Sequence, residues 1–505
     1  MDQKMTDVLL AHSFFLKNDP KQVEKMRPYA PLGTLYAAAL LREAGYTVAV
    51  FDAMLAAGEE EFADALLRHR PRFVAFYEDS FNFLNKMCLE HARSAACRMS
   101  RLARDQGATV LAAGSDLSDH PQPYFEAGVQ YGLAGEADHT LLQLLDTLSG
   151  RCDQPVDAVP GLALPDPHAP GGVRRTPGRE LERHPDVFPF PAWDLLETET
   201  YREAWTRAHG FFSLNMVTTR GCPFHCNWCA KPIWGRRYAM RSPANVAAEM
   251  ALVRQTLRPD HLWFADDIFG LQPKWVAELA REIEERDARI PFTIQSRADL
   301  MTEVAVAGLA RAGCVEVWLG AESGSQKILD AMDKGTEIGQ IAAATRRLRE
   351  AGIRACWFLQ FGYPGETFDD ILATVRMVRE SLPDDIGVSV SYPLPGTGFY
   401  DMVQAELGDQ THWQDSNDLA MMFQGTYQTP FYRKLRQVLH HELDLRNRVR
   451  RDAGDGGSVL ADLDQVAADW LELGRLEASC KSAMPTQVTK TYGPLAAPDL
   501  TKPWN

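Results

Sequence analysis

The sequence predicts an α/β protein of two successive parallel-sheet units followed by a helical tail, and three observations carry that prediction. Short apolar runs alternate with amphipathic helical stretches through both halves, a proline-rich segment separates the halves, and beyond about Tyr400 the strand-like runs give way to helical patterning. At 505 residues the chain is too long for one ordinary core, and the length fits two to four domains. The expected divisions are 1–150, a linker at 151–207, 208–400 and a helical domain at 401–505.

In the first unit the strand-like runs are Val8 to Phe15, Thr47 to Asp52, Arg72 to Tyr77, Thr109 to Ala113 and Val129 to Ala134. Helical patterns fill the gaps: Leu32 to Glu43, Asn85 to Arg104 and Asp138 to Leu148, stopped by Gly45, Gly107 and Gly150. This alternation implies a doubly wound parallel sheet with helices on both faces, and such sheets bind ligands at the carboxyl ends of their strands.

Nine prolines fall between Pro155 and Pro191, which reads as a spacer without a core of its own. In the second unit the strands are expected at Phe212 to Thr218, His261 to Ala265, Phe292 to Ser296, Val315 to Ala321, Ala355 to Phe361 and Gly387 to Ser391. Six strand-helix units make a partial (β/α)6 barrel of the TIM type, with its chemistry at the strand carboxyl ends. In the tail, Phe431 to Arg451 forms a helix dense in arginine, suited to a membrane surface, an anionic substrate or simply a solvated face.

Composition narrows the function. A formal charge of −15 disfavours generic binding to nucleic acid, and no apolar run approaches the roughly 20 residues that span a bilayer. With no secretory signal read at the start and an odd, scattered set of nine cysteines, a reducing, cytoplasmic compartment is expected.

Three of those cysteines stand apart. Cys222, Cys226 and Cys229, in Arg-Gly-Cys-Pro-Phe-His-Cys-Asn-Trp-Cys, have the spacing to give three thiolates to a 4Fe-4S cluster and leave one iron open for a small molecule. Zinc is the rival reading, but structural zinc wants four ligands, and only His225 lies close in sequence. The other six, Cys88, Cys97, Cys152, Cys314, Cys356 and Cys480, form no second cluster motif, and Cys314 and Cys356 sit at apolar strand starts, as core residues do.

The motif C-x3-C-x-aromatic-C resembles the signature of the radical S-adenosylmethionine (SAM) enzymes. That resemblance implies that the amino and carboxylate groups of SAM chelate the open iron, that reductive cleavage yields a 5'-deoxyadenosyl radical, and that an external flavodoxin- or ferredoxin-type donor supplies the electron. It assigns Trp228 to a wall beside adenine, with core packing as the alternative, and Asp266 and Asp267 to the methionine amino group, with helix capping as the alternative. Arg297 is expected at the methionine carboxylate, and Glu322 and Ser323 along the cofactor. Gly362 and Gly365, in Phe-Gly-Tyr-Pro-Gly-Glu, are expected near adenine, although by themselves they are turn residues.

Residues 1–150 resemble the cobalamin-binding domain fused to many such enzymes, through Ala-Pro-Leu-Gly-Thr-Leu-Tyr at 30–36, Glu-Ala-Gly-Tyr-Thr-Val at 43–48 and Gly-Leu-Ala-Gly-Glu-Ala at 132–137. The motif D-x-H-x-x-G, which ligates cobalt from below, is missing. His12-Ser13-Phe14-Phe15 stands there, leaving His12 and His120 as weak axial candidates. The tail stretch from Gln424 to Arg433 is similar to the cap of anaerobic magnesium-porphyrin ester cyclases and related cobalamin-dependent methylases. The implied activity is cobalamin-dependent C-methylation of an unactivated carbon in a small molecule. Radical oxidation or cyclisation with the same cofactors, or a non-catalytic cluster- or cobalamin-binding sensor, are the alternatives.

Overall fold

The protein is described by a computed structural model that covers residues 6–87, 89–230, 233–408, 412–414, 419–451 and 456–481. The first sheet is built on β1 (Val8–Ala11), β2 (Val48–Phe51), β3 (Phe73–Tyr77), β4 (Thr109–Ala113) and β5 (Tyr131–Leu133), all parallel, in the order β2-β1-β3-β4-β5. The period-two alternation of a strand explains the two-sided core. Val8 and Leu10 face the helices Leu32–Glu43 and Asp138–Leu148, whereas Leu9 and Ala11 face Glu59–His69 and Glu90–Asp105. Each fully buried leucine side chain contributes about 1.5–3 kcal/mol, and both faces carry several.

The linker expectation needs correction. Within 151–207, β6 (Leu162–Pro165) and β7 (Val173–Arg175) extend the sheet antiparallel from β5, and Leu162, Ala163 and Leu164 are buried. Proline is tolerated here because Pro165 ends β6, beyond Leu162 and Ala163, which pair with β5. Farther on, Trp193 donates to Glu249 Oε1 at 3.1 Å, and the helix Thr198–His209 ties the two units together through Tyr201 and Trp205, which donate to the carbonyls of Tyr29 and Pro28.

The second unit holds β8 (Ser213–Met216), a short antiparallel pair β9 (Thr219–Arg220) and β10 (Ala239–Met240), then β11 (His261–Phe264), β12 (Phe292–Ser296), β13 (Cys314–Glu322), β14 (Arg354–Phe361) and β15 (Asp385–Val390). Apart from the short pair, the strands run β8-β11-β12-β13-β14-β15 in one parallel sheet that follows chain order, the curled half-barrel the sequence predicts. The first strand of this sheet docks directly on the N-terminal unit: the Asn215 amide exchanges two 2.8 Å hydrogen bonds with the backbone of Ala30.

The helices Thr429–Arg451 and Gly456–Ser479 pack on each other. The arginine-rich helix is not merely a solvated face. Leu435, Val438, Leu439 and Leu443 are buried, and Glu442 sits within reach of Arg379, Arg446 and Trp470. Among the described residues no helix is long and apolar enough to cross a membrane.

Candidate functional site

The cysteine loop leaves the carboxyl end of β8 through β9. Gly221 has φ +79°, and a Cβ there would lie 2.3 Å from the Arg237 carbonyl oxygen, so only glycine makes this turn. Asn227 pins the loop to the barrel: its N–H donates to Met332, its side chain donates to Ala331 and accepts from Tyr363 Oη at 2.9 Å, and its carbonyl accepts from Phe399. A loop held at four points presents its thiols in a fixed arrangement.

That arrangement suits a cluster better than a single ion. Zinc would bring the sulfurs within roughly 4 Å of one another, given bonds of about 2.3 Å. Among the described residues, the side chains that bring three potential ligand atoms within 4.8 Å are Asp116, His120 and His412, not the cysteines. Cys222 is buried, Cys226 and Cys229 are partly exposed, and none is in a disulfide. The Trp228 Nε1 donor is buried without a partner, and a bound group beside the loop would satisfy it.

Positive charge backs the thiols. Arg297, 5% exposed, reaches to 4.0 Å from Cys226 Sγ and stacks on Phe224 with its guanidinium carbon 3.8 Å from the ring centre. Its remaining donors go to Asp299, the carbonyls of Lys334 and Gly335, and Thr336. The fork expected to receive a carboxylate is therefore spent on Asp299 and the segment from Lys334 to Thr336. Lys334 forms a buried pair with Glu322 at 2.7 Å. Burial pulls its ammonium down, but Glu322 and the Cys226 thiolate outweigh burial and leave the pKa raised.

The other expected residues sort by environment. Asp266 is buried, and its carboxylate accepts from the N–H and hydroxyl groups of both Thr218 and Thr219 at 2.7–2.9 Å. Burial outweighs these bonds and raises its pKa to about 6. It staples the start of the cysteine loop to β11, and its oxygens are already engaged; Asp267, next to it, is exposed. Glu322 closes β13 with φ 59°. Ser323 turns the other way, toward Thr374 and Ser325. Gly362 and Gly365 both have positive φ after β14, and the side-chain space of Gly362 faces Met421 and Tyr432 of the C-terminal region. Cys314 and Cys356 are core residues, as expected, with burial pushing their thiols up; Cys88 lies outside the described residues.

Glu366 was not anticipated. It is 1% exposed, Oε2 accepts from the Gly362 N–H at 2.6 Å, Oε1 has no partner, and burial raises its pKa to about 8. The folded state thus keeps a proton that the unfolded chain releases near pH 4.5. Its contribution to stability is fully present below that pH and is lost as pH rises through about 8. Glu366→Gln keeps the acceptor for Gly362 and removes the titration. Its thermal midpoint should match the wild type near pH 5 and exceed it at pH 9, by an amount worth a few kcal/mol; equal midpoints at both pH values would contradict this.

On the N-terminal side, a narrow cavity of about 10 Å³ opens at the carboxyl ends of β3, β4 and β5, lined by Gly33, Glu78, Gly114, Gly135 and, from beyond the cysteines, Ile233 and Trp234. Trp234 stacks on Phe81 at 5.0 Å. Arg220 crosses the same boundary: buried, it binds Glu136 and Asp138, the latter at 2.9 Å, and lies over Phe188 at 3.9 Å. His12 is buried, with Nε2 2.8 Å from Asp52 and 3.0 Å from the Ala53 nitrogen. His120 lies edge-on to His412, beside the Arg93–Asp116 ion pair.

The three cysteines and strands β11 to β14 of the half-barrel fall within residues 216–378, which match the radical SAM superfamily. The fold is similar to those of two solved cobalamin-dependent radical SAM proteins. The methyltransferase TsrM from Kitasatospora setae, solved with cobalamin and a [4Fe-4S] cluster, superposes with a TM-score of 0.64 at 20% identity over 80% of this chain and 75% of that one. OxsB, solved with aqua-cobalamin and S-adenosylmethionine, gives 0.67 at 17% identity over 94% and 71%. By sequence, an uncharacterised methyltransferase of Pyrococcus horikoshii is 29% identical over 53% of this chain, and an anaerobic magnesium-protoporphyrin IX monomethyl ester cyclase of Rubrivivax gelatinosus is 27% identical over 76%. The matched region spans 56% of the length of the methyltransferase and 67% of that of the cyclase.

Proposed function

We propose that this chain is a cobalamin-dependent radical SAM methyltransferase that modifies an unactivated carbon of a small molecule. The observation that carries the reading is the shared cavity: the carboxyl edge of the first sheet and Ile233-Trp234, which follow Cys229 by four and five residues, wall the same space. An open sheet of order 2-1-3-4-5 binds its ligand at that edge, so a ligand held there lies against the cluster loop.

When bound, a 4Fe-4S cluster would supply an electron to the sulfonium of SAM, and cobalamin would supply the methyl group. Cys222, Cys226 and Cys229 would hold the cluster, Arg297 and Lys334 would balance the negative charge of the thiolates, and Asp266 with Asn227 would keep the loop fixed. Trp228, with its unpartnered indole N–H, would flank SAM, alongside Asp267, Glu322, Gly362 and Gly365. Phe81 and Trp234 would exclude water from the space between the cofactors, which protects a radical from quenching. As these rings stand the space holds no more than a water molecule, so Phe81 and Trp234 would have to part before a corrin could enter. A flavodoxin- or ferredoxin-type donor would deliver the electron.

Protein prepared anaerobically, incubated with cobalamin and desalted, should keep a corrinoid absorption spectrum, and its product should be heavier than substrate by one CH2 group. Failure to retain any corrinoid would overturn the methylation reading. The cyclase relative, which aligns with 76% of this chain, supports a second reading in which the product instead loses hydrogen.

A further inference from the structure

We propose that Arg297 sets the reduction potential of the cluster: its guanidinium, fixed beside Cys226, raises that potential and so eases entry of the electron. Cys222, Cys226 and Cys229 are taken as cluster ligands, as in the reading above, on which this assignment rests.

A charge moves a cluster's potential most when it is near, poorly screened by water and poorly cancelled by counter-charge. Arg297 meets each condition. It follows the carboxyl end of β12, is 5% exposed, and directs Nη1 at Cys226 Sγ from 4.0 Å. The rest of the fork is held in place: Nε and Nη2 bind Asp299, Nη1 also donates to the Lys334 carbonyl, and Nη2 donates to the Gly335 carbonyl and the Thr336 hydroxyl. Phe224, within the cysteine loop, covers a face of the guanidinium. Two residues before Lys334, the Met332 carbonyl accepts from the Asn227 N–H, so the loop and the arginine share one anchor. An arginine keeps its proton in proteins, so the charge is permanent.

The other cations near the thiols are weaker candidates. Lys334 is about as deeply buried, but Glu322 at 2.7 Å cancels its charge. Arg236, 3.0 Å from His225 of the loop, is exposed, and water screens its field about fourfold more than protein does. Asp299, the carboxylate paired with Arg297, is 23% exposed and offsets it only in part. The sign of the effect follows. Reduction adds one negative charge beside Cys226, so a fixed cation there favours the reduced form. Removing the charge of Arg297 lowers the potential, and removing the charge of Asp299 raises it. Loosened packing alone does not produce opposite shifts.

The test is a redox titration of the full-length protein, reconstituted anaerobically with iron and sulfide and without SAM, followed by the electron paramagnetic resonance signal of the reduced cluster. Wild type, Arg297→Met and Asp299→Asn are compared at equal iron and sulfide content. Poised at the wild-type midpoint, Arg297→Met should show a reduced-to-oxidised ratio about tenfold lower, which is about 59 mV for a one-electron couple. Asp299→Asn, which keeps the shape of the pair, should move the ratio the other way. If Arg297→Met assembles no cluster, Asp299→Asn decides alone: an upward shift supports the assignment and an unchanged midpoint overturns it. Unchanged midpoints in both variants, or shifts of the same sign, would overturn it while leaving the cluster reading intact. A wild-type protein that assembles no four-iron cluster removes that reading itself, and this assignment with it.

Discussion

Cys226→Ala is expected to yield a folded protein with essentially no iron–sulfur cluster and with SAM turnover at the level of a protein-free blank. On the proposed reading the three thiolates hold one cluster and act as one unit, and residues that act as a unit are strongly non-additive, so removing a second or third cysteine should cost nothing more. The fold should survive. The six strands of the half-barrel are held by their own hydrogen bonds, and the loop is anchored by Asn227 and the Gly221 turn, none of which involves a thiol. Matched far-ultraviolet dichroism and thermal midpoints, alongside iron counts near zero, would confirm this; a variant that kept its cluster would exclude Cys226 as a ligand. Cys356→Ser is the control. Cys356 is fully buried in β14, so its replacement should lower stability by about 0.5–3 kcal/mol while leaving iron content unchanged.

The strands were legible because parallel strands covered on both faces read as continuous apolar runs, and that signal is local. Phe292 to Ser296 and Thr109 to Ala113 match to the residue. The misreadings came where a distant partner decides. Asn85 to Arg104 reads as one helix, yet the chain breaks it into Phe83–Lys86 and Glu90–Asp105, and the Glu90 N–H donates to Trp413 far along the chain. Leu162 to Pro165 reads as linker because of its prolines, yet β5 offers it an edge.

The site divides the same way. The cysteine spacing is a property of eight consecutive residues and stood out at once. The partners of Asp266 lie 48 and 47 residues away, and nothing near Asp266 announces that two threonines will occupy its oxygens. Lys334 and Glu366 were missed for a related reason: a lone charge near a glycine turn looks solvent-facing until the fold buries it.

Arg220→Met should be the most damaging single change at the boundary between the two units. Arg220 is 5% exposed and lies between Glu136 and Asp138, which are 4% and 5% exposed, so the substitution leaves two carboxylates buried with no counter-charge. Breaking a buried ion pair by removing one partner costs about 3–5 kcal/mol, chiefly through the stranded charge. The pairing spans 84 residues and directly precedes Gly221 and Cys222, so its loss should also loosen the cluster loop against the first sheet. Denaturant unfolding should show a lower midpoint for Arg220→Met than for the wild type. The triple variant Arg220→Met, Glu136→Gln, Asp138→Asn carries no unpaired charge and should recover much of the loss, because apolar or neutral replacement of an entire buried charge set is often close to neutral. If the triple variant were no more stable than Arg220→Met alone, the loss would have to be assigned to packing of the arginine stem against Phe188 and Phe81 and not to charge.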